Sequence, residues 1–144
     1  MGVKTVLGLG ELNALFPSYN FIKLTPTESG IIDTTYIVTN NEKSYVLKKY
    51  ERNIPKKIAL DTKLLQQLYV EGLNVPLCLE EKNGWYLYTK LEGKQPTHIK
   101  SFHIVALARF MAKLHTQTKN TPCTSNSMIE TQVTQALKYT KAHY

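Results

Sequence analysis

The sequence has few cysteines, few arginines and no long apolar run. Cys78 and Cys123 form no CxxC pair and have no histidine at ligand spacing, which argues against a zinc site and fits a reducing cytoplasm. No apolar run approaches the roughly 18–20 residues that a membrane-spanning helix needs. We therefore predict a cytoplasmic protein with no membrane segment and no metal-binding residues of its own.

The scarcity of arginine also bears on nucleic-acid binding. The net charge of +7 invites that function, but only Arg52 and Arg109 offer the planar guanidinium group that reads bases and phosphates. The lysines are spread along the chain in blocks no longer than two. These features favour a lysine-rich solvated surface. A strongly salt-dependent affinity for oligonucleotides would support the alternative.

The order of helical and strand patterns predicts an α+β fold. Short runs of strands precede the helices, without the alternation of a βαβ protein. The first three strands are expected to form an antiparallel meander, because short polar segments separate them. We predict a short helix over 8–19, strands over 20–27, 34–39 and 44–50, a helix from Pro55 to about Glu71 that stops at Gly72, strands over 75–80 and 84–90, a helix over 101–115, and a weaker helix from about 128.

The third predicted strand, SYVLKKY (44–50), ends in two lysines. Alternate residues of a strand share a face, so Val46, Lys48 and Tyr50 point one way and Lys49 points the other. A lysine on a face with apolar neighbours needs a partner or a route for its ammonium to water. Lys48 or Lys49 is thus a candidate for a specific role.

The following helix contains a possible partner for that lysine. Asp61 lies between Ile58 and Leu65 on one predicted apolar stripe. A carboxylate there either pairs with the lysine of the preceding strand or reaches solvent at the edge of the helix. Spacing alone leaves both interpretations open.

Five segments resemble, in order, the N-terminal lobe of the protein-kinase-like fold, over about residues 10–119. The branch that they resemble most holds aminoglycoside phosphotransferases, choline kinases and type II homoserine kinases. This resemblance implies a five-stranded antiparallel sheet with one packed helix over 1–93, followed over 94–144 by helices of an incomplete C-lobe. The segments are SGIIDTTYIV, YVLKKY, LLQQLYVEGLNVP, YLYTKLEG and ALARFMAKLH.

The resemblance also implies a nucleotide site. Lys48 matches the third-strand lysine that contacts the α- and β-phosphates of ATP, with Lys49 as the competing assignment. Asp61 stands where the family usually has the helix glutamate that pairs with this lysine. The remaining positions are the loop over the phosphates (Ser29, Gly30, Asp33 and Thr35), the roof of the adenine pocket (Val46), and the backbone that hydrogen-bonds adenine (Thr89 C=O and Leu91 N–H).

The residues that the family uses for catalysis are missing from the sequence. In the family, a catalytic aspartate and a magnesium-binding aspartate follow the last matching helix, whereas beyond Glu92 this sequence has Glu130 as its one acidic residue. We therefore predict the nucleotide-binding lobe of a small-molecule kinase, which would use ATP, and Mg²⁺ only in its complete form, to phosphorylate a hydroxyl of an amino alcohol, amino acid or aminoglycoside. The chain alone is expected to be inactive, as a fragment or truncated gene product. The alternative is a non-catalytic kinase-like scaffold, as in spore-coat relatives.

The helix predicted over 101–115 is apolar on most sides. Only His103, Arg109 and Lys113 are polar between residues 102 and 114. This composition is typical of a helix that is buried on most sides, and without a second lobe the helix should leave an exposed apolar patch. We therefore expect self-association through this helix.

Overall fold

A five-stranded antiparallel sheet organises the chain in a computed structural model, which describes residues 4–27, 32–51, 55–94 and 96–119. The predicted helix from about residue 128 lies outside these residues, as do Ser29 and Gly30. In chain order the elements are α1 (Leu9–Leu15), a 3-10 turn (Pro17–Tyr19), β1 (Lys23–Pro26), β2 (Thr34–Thr39), β3 (Ser44–Lys49), α2 (Pro55–Val70), β4 (Cys78–Lys82), β5 (Trp85–Thr89) and α3 (Ser101–Thr118).

The strand order in the sheet is β1-β2-β3-β5-β4, with every neighbouring pair antiparallel. Two turns show how the sequence sets this order. The Asn40 side chain accepts the N–H groups of Glu42 and Lys43 and closes the β2–β3 hairpin. Asn83 and Gly84 both have positive φ (51° and 77°), the conformation that a tight β4–β5 hairpin requires. The predicted α+β class and antiparallel sheet are confirmed.

One face of the sheet carries the main core. Val38, Leu47 and Leu87 are fully buried there, on β2, β3 and β5. The segment before β1 covers this face, because Leu12 of α1 and Phe16 after it are 0% and 1% exposed and belong to the same cluster. The first helix is therefore an integral part of the fold.

The fourth strand differs from its prediction, since it begins at Cys78 and not at Val75. Val75 instead joins Leu68 and Leu73 in a second cluster, against which Leu114 of α3 packs. Leu77 is held beside the sheet by Thr89: its N–H donates to the Thr89 hydroxyl, and its carbonyl accepts the Thr89 N–H, both at 2.9 Å. Packing against the helices thus takes Val75 out of the strand, whereas Leu77 still contacts β5 through Thr89.

The last helix, α3, runs to Thr118, three residues beyond its predicted end. Its C-terminal half is fixed to the end of α2, where carbonyl groups lack helical partners. Lys113 Nζ donates to the Gly72 carbonyl at 3.0 Å, and Gln117 Nε2 donates to the Glu71 carbonyl at 3.1 Å. These two side chains are one turn apart, so a single edge of α3 caps α2.

Much of α3 lies exposed within the described part of the chain, as predicted for this apolar helix without a second lobe to cover it. Six large apolar side chains of this helix are between 36% and 62% exposed. No described helix combines the length and the apolar character needed to cross a membrane. The six, which we call the α3 apolar face, are Phe102, Ile104, Val105, Leu107, Phe110 and Met111.

Candidate functional site

Lys48 lies on the face of the sheet opposite the main core. It stands across from Thr35 of β2 and Tyr86 of β5, and residues directly opposite in antiparallel strands share a face. Val46 shares this face and stands across from Tyr88. The Lys48 side chain is 31% exposed, so its stem is largely covered while its ammonium reaches the surface.

Lys49 points the other way, as strand alternation predicts. It stands across from Thr34 and Trp85 on the core face. Its ammonium lies 5.2 Å from the centre of the Trp85 ring, within the range of a cation–π contact. The two lysines are therefore separated by the sheet, and only Lys48 shares a face with Val46 and Thr35.

Asp33 is the ion-pair partner of Lys48. Lys48 Nζ lies 3.0 Å from Asp33 Oδ2, and the Asp33 side chain is only 18% exposed. The other carboxylate oxygen of Asp33 accepts the Glu51 N–H at 3.3 Å. Asp33, which was predicted in the loop over the phosphates, thereby ties the entrance of β2 to the exit of β3.

The expected pairing of Lys48 with Asp61 is not formed and is corrected by this geometry. The Asp61 side chain is exposed, which matches the alternative interpretation of a carboxylate that reaches solvent. The reason lies in the position of α2. This helix packs against β4 at the edge of the sheet, and β5 separates β4 from β3, where Lys48 lies.

Three tyrosines form a cluster on the face of Lys48, were not predicted as site residues, and meet the ammonium through one member, Tyr50. The ammonium lies 4.3 Å from the centre of the Tyr50 ring. The Tyr50 and Tyr88 hydroxyls are hydrogen-bonded at 3.0 Å, and the Tyr86 ring meets Tyr50 edge to face at 5.3 Å. Burial raises the pKa of Tyr88, and the hydrogen bond with Tyr50 adds to the shift, so this phenol stays neutral. The alternation in YLYT (86–89), which places both tyrosines on the face of Lys48, is the signal that could have revealed them.

The other predicted site residues lie around this face or at the end of the sheet. The Thr35 carbonyl accepts both the N–H and the hydroxyl of Thr27, each at 3.1 Å, which joins the end of β1 to β2. Val46 and Thr35 are half-buried. Thr89 ends β5, and Leu91 follows it in an exposed connector, where its side chain is 39% exposed. Ser29 and Gly30 lie outside the described residues.

A separate open pocket of about 300 Å³ lies between α2 and β4. No predicted site residue lines it. Cys78 is one of its lining residues, and burial raises the pKa of this thiol, so it is held in the unreactive protonated form. The lining residues are Thr62, Lys63, Gln66, Cys78, Leu79, Glu80 and Glu81.

The described residues offer no cluster of side chains for magnesium. Within 4–27, 32–51, 55–94 and 96–119, no three histidine, cysteine, aspartate or glutamate side chains come together as metal ligands. Asp33 is a single carboxylate that is already paired with Lys48. This part of the chain therefore does not fit a magnesium site built from its own side chains.

Comparison with protein families gave one match over most of the sequence. The model of the phosphotransferase enzyme family, APH, matches residues 23–141. The match includes the whole sheet and both long helices, while α1 precedes it. A search of curated proteins gave no match.

Proposed function

This chain belongs to the phosphotransferase enzyme family, since the family model matches 23–141 of its 144 residues, and from that membership we propose that it is the nucleotide-binding lobe of a small-molecule kinase. In this proposal the chain binds ATP on the face of the sheet that carries Lys48. The acceptor of the complete enzyme would be a hydroxyl of an amino alcohol, an amino acid or an aminoglycoside.

The placement of Lys48 is the observation that carries the proposal. Its ammonium is held on a half-buried surface by Asp33, the residue directly before β2, and the other lysine of β3 faces the opposite way. A cation fixed at this position can hold two phosphate oxygens, and a partly covered site strengthens the attraction. The Lys48 ammonium would thus bind the α- and β-phosphates.

The adenine ring would occupy the same face toward the end of β5. Val46 would cover the ring, while the Thr89 carbonyl would accept its amino group and the Leu91 N–H would donate to a ring nitrogen. The pair of hydrogen bonds that Thr89 makes with Leu77 supports this role, because it fixes the backbone that would present these groups. Thr35 and the loop before it would lie over the phosphates.

Binding without transfer is the expected behaviour of these 144 residues. Phosphoryl transfer requires a carboxylate near the acceptor hydroxyl and magnesium to neutralise the charge that develops on the phosphates. Beyond Glu92 the sequence offers Glu130 as its one acidic side chain. The same deficit supports the alternative of a non-catalytic kinase-like scaffold. ATP binding by this chain would favour the lobe of a kinase over the scaffold.

Replacing Lys48 by alanine should weaken ATP binding by at least about tenfold, which corresponds to about 1.4 kcal/mol. The physical reason is the loss of the one charge-assisted contact that Lys48 makes to the phosphates. Isothermal titration calorimetry with ATP measures the effect directly. The matched control is Lys49→Ala, which removes an equal charge from the neighbouring position on the core face.

The two lysine variants separate a specific contact from a general loss of positive charge. Lys49→Ala should bind ATP with an affinity within about twofold of the wild type. The loss of its contact with Trp85 should instead lower the stability of this variant. Equal losses of affinity in both variants, or an unchanged affinity in Lys48→Ala, would contradict the role proposed for Lys48.

We also propose that a second copy of the chain associates through the α3 apolar face. The helix holds no acidic residue, and six large apolar side chains stand exposed on it, so apolar contact is the interaction that it offers. Leu107→Gln should shift sedimentation profiles toward the monomer at high protein concentration. Leu60→Gln, at a leucine of α2 that is 51% exposed, is the control and should leave association unchanged. A wild-type chain that stays a monodisperse monomer at high concentration would contradict the proposal.

A further inference from the structure

The surroundings of the Lys48 ammonium combine a carboxylate and an aromatic ring. Asp33 Oδ2 lies 3.0 Å from the Lys48 Nζ, and the centre of the Tyr50 ring lies 4.3 Å from it. A phosphate oxygen and the Asp33 carboxylate would make the same kind of charge-assisted contact with this ammonium. The ring, in contrast, is uncharged and can remain in contact while an anion is exchanged.

From this geometry we infer that Asp33 competes with the nucleotide phosphates for Lys48, while Tyr50 is a positioning residue that keeps the ammonium in place during the exchange. The inference rests on the proposed function and deepens it. It also changes the role expected for Asp33, from a residue that helps to cover the phosphates to one that phosphate must displace.

Asp33 is suited to this competition by its two separate contacts. Oδ2 meets Lys48, while Oδ1 accepts the Glu51 N–H. The carboxylate can therefore release Lys48 and still be held at the entrance of β2. Its negative charge would in addition repel the phosphates, so both effects act against nucleotide binding.

Tyr50 is suited to positioning because its own ring is fixed from two sides. Its hydroxyl is hydrogen-bonded to that of Tyr88, and the Tyr86 ring packs edge to face against it. Tyr88 is buried and stands across from Val46, while Tyr86 stands across from Lys48. The ring position is thus set by β5, the strand that would also lead to the adenine site.

Asp33→Asn should tighten ATP binding by about two- to fivefold, the range expected when a partly exposed ion pair is removed. Asparagine keeps a side-chain oxygen for the Glu51 N–H, so the fold is expected to survive the substitution. Calorimetry with ATP and with tripolyphosphate should show the same direction, while adenosine should bind with unchanged affinity. Glu42→Gln removes an equal charge at an exposed position of the β2–β3 turn and should change none of the three affinities.

Two variants of Tyr50 separate positioning from stability. Tyr50→Phe removes the hydrogen bond to Tyr88 but keeps the ring, so it should lower Tm and leave ATP affinity within about twofold. Tyr50→Leu removes the ring as well and should weaken ATP binding by about two- to fivefold. A purely structural Tyr50 would instead leave the affinities of both variants equal.

The outcomes distinguish this inference from the proposed function. If Lys48→Ala leaves ATP binding unchanged, the proposed function fails. If Lys48→Ala weakens binding but Asp33→Asn leaves it unchanged or weakens it, the competition is overturned and the proposed function stands. Tripolyphosphate tests the competition without the adenine site, because it has no adenine ring. It should raise the Tm of Asp33→Asn more than that of the wild type. An equal or smaller shift overturns the inference.

Discussion

Phe16→Ala is expected to lower the free energy of unfolding by about 3–5 kcal/mol, the cost of removing a large buried aromatic side chain. Phe16 is 1% exposed and lies in the cluster that covers the core face of the sheet. Its ring also meets the Tyr19 ring edge to face at 6.3 Å. Since small domains have about 5–15 kcal/mol of stability in total, the loss should be visible as a large shift in a urea unfolding curve.

The same substitution at an exposed phenylalanine provides the control. Phe102 of α3 is 62% exposed, and Phe102→Ala should change the free energy of unfolding by less than about 0.5 kcal/mol at protein concentrations low enough to keep the chain monomeric, since Phe102 belongs to the α3 apolar face. A small effect in both variants would show that the segment before β1 is dispensable. This matters for the choice of protein for binding experiments, because α1 and Phe16 precede the family match at residue 23.

The sheet could be predicted from the sequence because its signals are local. Alternation placed Val46 and Lys48 on one face and Leu47 and Lys49 on the other, and the register of β3 with β2 and β5 agrees with it. The turn residues Asn83 and Gly84 likewise have the backbone conformation that their types favour. Where the side-chain types and the alternation of the backbone favour the same structure, tertiary packing does not change the local conformation that they predict.

The partner of Lys48 could not be predicted in this way, because it depends on how a helix is placed against the sheet. Asp61 lies in α2 at a spacing from Ile58 and Leu68 that puts all three on one side of the helix, as the sequence predicts. The helix, however, packs at the β4 edge, and spacing along a helix contains no information about which strand it covers. Asp33 was expected only in the phosphate loop, since nothing in its local sequence indicates a contact 15 residues away.

The N-terminal segment is attached to the sheet by a second polar cluster, on the core face beside Lys49. Thr34 is the buried residue at its centre, with 0% exposure. Its hydroxyl oxygen accepts the N–H groups of Lys4 and Thr5 at 2.9 and 3.0 Å and donates to the Glu51 carboxylate. Glu51 also accepts the Thr5 hydroxyl at 2.8 Å. One hydroxyl therefore links residues 4–5, the start of β2 and the residue that follows Tyr50.

Thr34→Val should lower the free energy of unfolding by about 2–4 kcal/mol, because each buried polar group that loses its partner costs about 1–3 kcal/mol. Valine keeps the shape of threonine, so the loss reports the hydroxyl and not a cavity. Thr39→Val is the control: its hydroxyl is hydrogen-bonded to that of Ser44 at the other end of the same strand, and the residue is only half-buried. An equal loss in both variants, measured by urea unfolding at neutral pH, would contradict the special position of Thr34.

The loss of stability caused by Thr34→Val should also depend on pH, and the titration of Glu51 determines whether this loss grows or shrinks in acid. The hydrogen bond from Thr34, followed by that from Thr5, lowers the pKa of Glu51 below its ordinary value of 4.5. A carboxyl with a depressed pKa in the folded state stabilises the fold above its unfolded pKa, and this stability is lost as pH falls through the folded pKa. The wild type should therefore lose stability below about pH 4.5, whereas Thr34→Val, which lacks the main cause of the shift, should lose less. The difference in unfolding free energy between the two proteins should therefore become smaller in acid. Glu51→Gln should remove the pH dependence of the wild-type stability in the same range. A difference that stays constant from neutral pH to pH 3 would show that Glu51 does not titrate through this contact.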